Sequence, residues 1–197
     1  MNIVFDIMGS VVVGALLFML IIKLQLFSSQ TSYSSDSELQ VIQNTKTLAE
    51  IIDYDLRKIG YRHDTSQPAI LVADSTELSF YSDIDTSGTV DIVHYFISDS
   101  THSTGTMNPK DIVLNRTVNG GSLMSGPSLG LIKLRFSYLN KSQAKIPYNL
   151  TSANLDSIRY IKTEMWVEST DAVADAYADT SRYAITYWEF TIYPRNI

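Results

Sequence analysis

Asp83-Ile84-Asp85-Thr86-Ser87-Gly88-Thr89-Val90-Asp91 is the stretch whose residue types and spacing come nearest to doing chemistry. Oxygen-bearing side chains alternate at its first, third and fifth positions (Asp83, Asp85, Ser87), Gly88 is sixth, and Asp91 returns an acid at the ninth. This is how a calcium loop opens: hard oxygen donors converge on one hard cation, and glycine makes the sharp turn. The twelfth position, where a helix–loop–helix calcium site needs a bidentate Glu, holds His94. Two readings stay open. Asp83, Asp85, Ser87 and Asp91 ligate calcium, or they form a polar hairpin turn whose acids are solvated.

Other chemistry is sparse. His63, His94 and His102 are far apart and have no metal-ligand spacing. His94 falls among Val93, Tyr95 and Ile97 in an alternating run, which gives it a surface role. The chain has no cysteine, so disulfides, thiolate catalysis and cysteine–zinc sites are excluded. Nucleophile-elbow, phosphate-loop and dinucleotide motifs are also missing. No pair of acids stands out as an acid–base couple, so no enzyme and no cofactor beyond the calcium possibility is expected. A net charge of −6 with scattered basic residues argues against nucleic acid. Asn115, Asn140 and Asn149 begin sequons, which arise by chance in a chain this rich in Ser and Thr.

The remaining pointed residue is Asp6, a carboxylate beside the apolar run Ile7 to Phe27. A charge there is costly unless it is paired or marks a bilayer edge. The run is about long enough to cross a membrane. Gly9, Ser10, Gly14 and Ala15 are small and allow close helix contact, and Lys23 can snorkel. No Lys or Arg precedes the run, and Ser28-Ser29-Gln30 is a poor cleavage site, so the run is expected to be retained.

The elements that must position these residues divide as 1–27, an apolar helix; 28–60, its polar, then amphipathic continuation; and 61–197, a sheet domain. Ser28 to Ser35 reads as a linker or as weakened helix, and Asp36 or Ser37 can cap a fresh start. Leu39, Ile42, Leu48, Ile52, Leu56 and Ile59 form one stripe, with Gly60 as the stop. If both stretches are one helix, its length is about 85 Å.

Beyond Gly60 the pattern alternates. Short strands are expected at Ala69–Ala73, Glu77–Ser82, Val90–Ile97 and Asp111–Thr117, and longer ones at Leu129–Leu139, Ile158–Val167 and Tyr183–Tyr193. Ile132, Leu134, Phe136 and Tyr138 share a face, as do Ile161, Thr163, Met165 and Val167, and as do Trp188, Phe190 and Ile192. Ser87-Gly88, Asn119-Gly120-Gly121 and Ser125-Gly126-Pro127 are turns, and Thr170 to Ser181 reads as a loop with a helical turn. The fold class is α+β, a long helix whose second half packs on an antiparallel sheet.

Together these residues resemble a type IV pilin-like protein, most similar to minor pilins of the PilW kind and to pseudopilin J of type II secretion. The resemblance rests on the acid-led apolar helix and on Leu48-Ala49-Glu50-Ile51-Ile52-Asp53-Tyr54-Asp55-Leu56-Arg57-Lys58-Ile59-Gly60-Tyr61. Leu78-Ser79-Phe80-Tyr81-Ser82-Asp83, Tyr95, Leu134-Arg135-Phe136-Ser137-Tyr138 and the ending Tyr193-Pro194-Arg195-Asn196-Ile197 add to it. Asp6 stands where the family carries Glu if Asn2 is counted first, and one place late if Met1 is. The resemblance implies a subunit of a pilus or secretion pseudopilus. It would be held in the inner membrane by its helix, with its domain outside, and then packed into an extracellular or periplasmic filament. Asp6, Gly9 and Gly14 would contact other pilin-like subunits, including copies of this chain. The rivals are a single-pass anchored extracytoplasmic binding or sensory domain, and a tip adhesin.

Overall fold

The computed structural model describes residues 3–64, 66–98, 107–121, 124–125, 129–148, 152–174 and 181–197. His102, the Asn149 sequon and the Gly126-Pro127 turn lie outside them.

Helix α1 runs unbroken over Ile3–Leu56, about 81 Å at 1.5 Å per residue. The Ser/Thr-rich stretch is neither a linker nor a second start. Its poor helix formers each cost only tenths of a kcal/mol, and propagation from a formed helix is cheap. Some hydroxyls bond back to the preceding turn, as Thr31 Oγ1 does to the Phe27 carbonyl at 2.9 Å. The buried stripe begins at Val41 and continues through Thr45, Leu48, Ala49, Ile52, Asp55 and Leu56. Leu39 and Ile42, expected in it, are exposed by 57% and 49%.

After Leu56 the chain winds through tight turns to Gly60, whose φ is +76°. A Cβ there would meet the Asn196 carbonyl oxygen at 2.4 Å, so only glycine fits. The Gly60 amide donates to the Tyr81 carbonyl at 2.8 Å, which ties the helix end to the sheet domain.

Two antiparallel sheets follow. The first is a meander of β1 (Ile70–Ala73), β2 (Glu77–Ser82), β3 (Asp91–Ser98), β4 (Val113–Val118) and β5 (Met124–Ser125). At the β4–β5 turn Asn119 and Gly120 both have positive φ, 53° and 64°, and the Gly121 amide returns to the Val118 carbonyl. This left-handed pair matches the twist of a hairpin.

The second sheet has the order β11-β8-β6-β7, built from β6 (Leu131–Leu139), β7 (Lys145–Ile146), β8 (Tyr160–Glu168) and β11 (Ile185–Ile192). A one-turn helix, α2 (Ser152–Leu155), precedes β8. The free edge of β6 is covered by the first sheet's connections. Its Phe136 amide donates to the Ser75 carbonyl at 2.7 Å, and its Leu131 carbonyl accepts the Ile112 amide at 2.7 Å.

Three expected details differ. A bulge between Leu131 and Lys133 shifts the β6 register, so Leu131 rather than Ile132 joins Leu134, Phe136 and Tyr138 in the core. Where a loop with a helical turn was expected, residues Val173–Ala174 and Ser181–Arg182 form strands β9 and β10, paired antiparallel, and the residues between them lie outside the described ones. On β11 only Ile192 is buried, while Trp188 is 43% exposed. There β11 faces α1 across an open cleft lined by Ser34, Glu38, Ile42, Ile185 and Thr186.

The core joins the α1 stripe to both sheets, with Leu78, Phe80, Val93 and Tyr95 from the first and Leu134, Phe136, Ile161 and Met165 from the second. This is the α+β design, a long N-terminal helix with antiparallel sheets.

Candidate assembly surface and loop site

No residue in the first half of α1 is buried by the other described residues. Its large apolar side chains from Ile3 to Phe27 are all exposed, from 40% at Ile22 to 73% at Ile3. This stretch is therefore apolar on every side and is left uncovered by the described residues. It is long and apolar enough to cross a membrane, by length and composition. Asp6, Ser10 and Gly14 follow one another at intervals of four and so form a single row along the helix. Nothing lies within 4 Å of the position a Cβ would take at Gly9 or Gly14, which leaves two open notches beside that row.

At the other end the helix is fastened by a buried charge. Asp55, 4% exposed, lies on the apolar stripe. Its Oδ2 accepts the Tyr95 hydroxyl of β3 at 2.5 Å and Arg116 Nε of β4 at 2.6 Å. Burial, joined by the Asp55 charge, pushes the Tyr95 hydroxyl far above its ordinary pKa, so it serves only as a donor. The sequence analysis did not single out Asp55, although its spacing with Ile52, Leu56 and Ile59 puts it beside the stripe.

The β2–β3 loop brings together the three acids expected as ligands. Carboxylate oxygens of Asp83, Asp85 and Asp91 all lie within 4.8 Å of one another. Asp83 is fully buried, and its Oδ2 accepts Arg62 Nη1 at 2.9 Å and the Gly88 amide at 3.0 Å. Its Oδ1 is buried and has no hydrogen-bond partner among the described residues. Asp85 is exposed. Its Oδ1 accepts the Ser87 amide at 3.0 Å, and that bond, with the Ser87 hydroxyl, holds its pKa below the usual carboxylate range. Asp91 Oδ1 accepts Asn119 Nδ2 at 2.7 Å.

The Ser87 hydroxyl also lies 2.8 Å from Thr89 Oγ1. His94, the twelfth residue, pairs with Glu77 at 2.8 Å. The loop links two strands, not two helices, so it is no helix–loop–helix site.

The other candidates resolve into structural roles. His63 stacks on Tyr81 with ring centroids 4.5 Å apart. Asn115 is 1% exposed and donates to Ser98 and to the Val113 carbonyl, so it is closed to a glycan. Asn140 caps its own turn by accepting the Ser142 and Ala144 amides. A cleft lined by His63, Gln67, Asp156 and Arg159 has a volume of about 80 Å³, well below a small-molecule site.

No protein-family model, curated protein or solved structure matches this chain.

Proposed function

We propose that this chain is a structural subunit of a pilin-like filament, a pilus or a secretion pseudopilus, assembling through the first half of α1. One observation carries the reading: a single unbroken helix is built into the core at one end and left apolar and exposed at the other. Each large apolar side chain covered by a neighbouring subunit contributes about 1.5–3 kcal/mol, so a bundle of such helices is strongly cohesive. Before assembly a bilayer covers the same surface.

Asp6 is the one charge in the N-terminal turns. Paired with a neighbour's N-terminal amine it would set the axial register, because an unpaired carboxylate among apolar helices is heavily penalised. Gly9 and Gly14 would let neighbouring helices approach closely. The continuity of α1 through Ser28–Ser35 supports this reading over the anchored-domain rival, which expects a break after Phe27.

The test is electron microscopy of material sheared from the cell surface, with N-terminal sequencing of this chain within it. The expected result is filaments that contain the chain, and their loss in Asp6→Ala. A chain that stays in the membrane fraction while no filament forms overturns the reading and favours the anchored domain. Unchanged filaments in Asp6→Ala sink the register role.

A further inference from the structure

We propose that the β2–β3 loop binds one calcium ion through Asp83, Asp85 and Asp91, and that the ion locks the loop onto the C-terminal end of α1. The inference does not depend on whether the chain forms filaments.

Two independent observations meet at the loop. The first is convergence. Two oxygens bound to one calcium, each at 2.3–2.6 Å, can be no more than about 5 Å apart. The three carboxylates place oxygens within 4.8 Å of one another. The second is the orphaned oxygen. Asp83 Oδ1 is buried without a hydrogen bond among the described residues, while Oδ2 of the same carboxylate is taken by Arg62 and Gly88. A buried, unsatisfied carboxylate oxygen is expensive, and it calls for a partner.

Charge points the same way. The loop carries three carboxylates, and Arg62, itself 48% exposed, sets one positive charge against Asp83. Two carboxylates remain, which a divalent ion balances. The donor set is oxygen only, which suits calcium over transition metals. Calcium also tolerates irregular oxygen geometry, whereas magnesium demands a tight octahedron and keeps its water.

The ion would act on the seating of the helix. The loop is already stitched to the end of α1: the Asp83 amide donates to the Tyr61 carbonyl at 3.0 Å, and Lys58 Nζ to the Ile84 carbonyl at 2.8 Å. Ser82 Oγ donates to the Lys58 carbonyl at 2.8 Å. A cation holding Asp83, Asp85 and Asp91 fixes both ends of the loop against that seam. Sites of this kind in extracellular modules bind calcium at about 10⁻⁴–10⁻³ M.

The experiment is thermal melting of the full chain in detergent micelles, in chelator, in calcium and in magnesium, with terbium luminescence as a direct binding readout. At about ten times Kd, calcium should raise the melting temperature by about 3–5 °C over chelator. Magnesium should give a clearly smaller rise. Asp85→Asn and Asp91→Asn should each remove the calcium response and the terbium signal. Both variants are needed, because Asp83→Asn disturbs the Arg62 contact as well.

The absence of any calcium-dependent shift or terbium signal overturns the proposal. So does an equal response to magnesium, or a full response retained in both variants, which would put the ion elsewhere. Stabilisation by mild acid with no response to calcium overturns it too, because a proton shared between Asp83 and Asp85 would then satisfy the orphaned oxygen.

Discussion

At the scale of single residues, Asp55 decides how the helix is held. It sits among Ile52, Leu56 and Ile59 on the one face of α1 that the fold buries, and it accepts from both Tyr95 and Arg116. Removing one partner of a buried ion pair leaves the other uncompensated and costs about 3–5 kcal/mol. Asp55→Ala should therefore lower unfolding stability in urea by that order, whereas Tyr95→Phe, which removes one donor, should cost about 1–2 kcal/mol. Equal small losses in both would mean that the carboxylate is solvated. The position of Asp55 on the buried face was legible, because a 3.6-residue period names the neighbours of every residue on it. Its partners were not, since they lie 40 and 61 positions along the chain and only the folded sheet brings them near. The loop acids were legible for the opposite reason. Asp83, Asp85 and Asp91 are close in sequence, and a turn can hardly keep them apart. The Ser87 hydroxyl also has a local partner in Thr89, which no ligand spacing announces.

At the scale of elements, the strands were readable from alternation, and the errors fall where alternation stops deciding. The β6 bulge moved Leu131 into the core and Ile132 out of it, because one extra residue reverses the faces on one side of it. β11 alternates well in sequence, yet its first half looks across a cleft, and no pattern within a strand says how far its cover extends.

The other face of the second sheet carries a cross-strand ladder. Glu164 on β8 accepts from Arg135 of β6 at 2.8 Å and from Tyr187 of β11 at 3.0 Å, with Lys162 3.7 Å away. Burial works to raise the pKa of Glu164, but the Arg135 and Tyr187 hydrogen bonds and the nearby cations outweigh it, so the net shift is downward. A carboxylate whose pKa is lower folded than unfolded adds stability above its unfolded value, about 4.3, and loses it as pH falls through the folded value. Glu164→Gln should thus be less stable than the wild type at neutral pH. The gap should close as pH drops from about 6 to about 3, measured by urea unfolding at each pH. A gap that stays constant with pH would mean that the ladder contributes by packing alone.

At the scale of the whole molecule, the chain divides by what its side chains can be buried against. Every buried residue of α1 lies at Val41 or beyond, and the helix before it contributes nothing to the core. Deleting residues 1–27 should therefore leave a domain that folds without detergent and melts within a few degrees of the full chain. The remaining helix, 28–56, is still about 44 Å long, and its exposed first turns are polar: Ser28, Ser29, Gln30, Thr31 and Ser32 are all exposed. The full chain carries a run of bare Ile, Val, Leu, Met and Phe side chains and should need a membrane, detergent or its own kind to cover them. Sedimentation of the two forms separates the possibilities. A monomeric truncated domain beside an assembling full chain places the cohesive surface on the first half of α1. A truncated domain that still associates would put an interface on the sheet domain, and the exposed aromatic start of β11, with Tyr187 and Trp188, would be the first place to look for it.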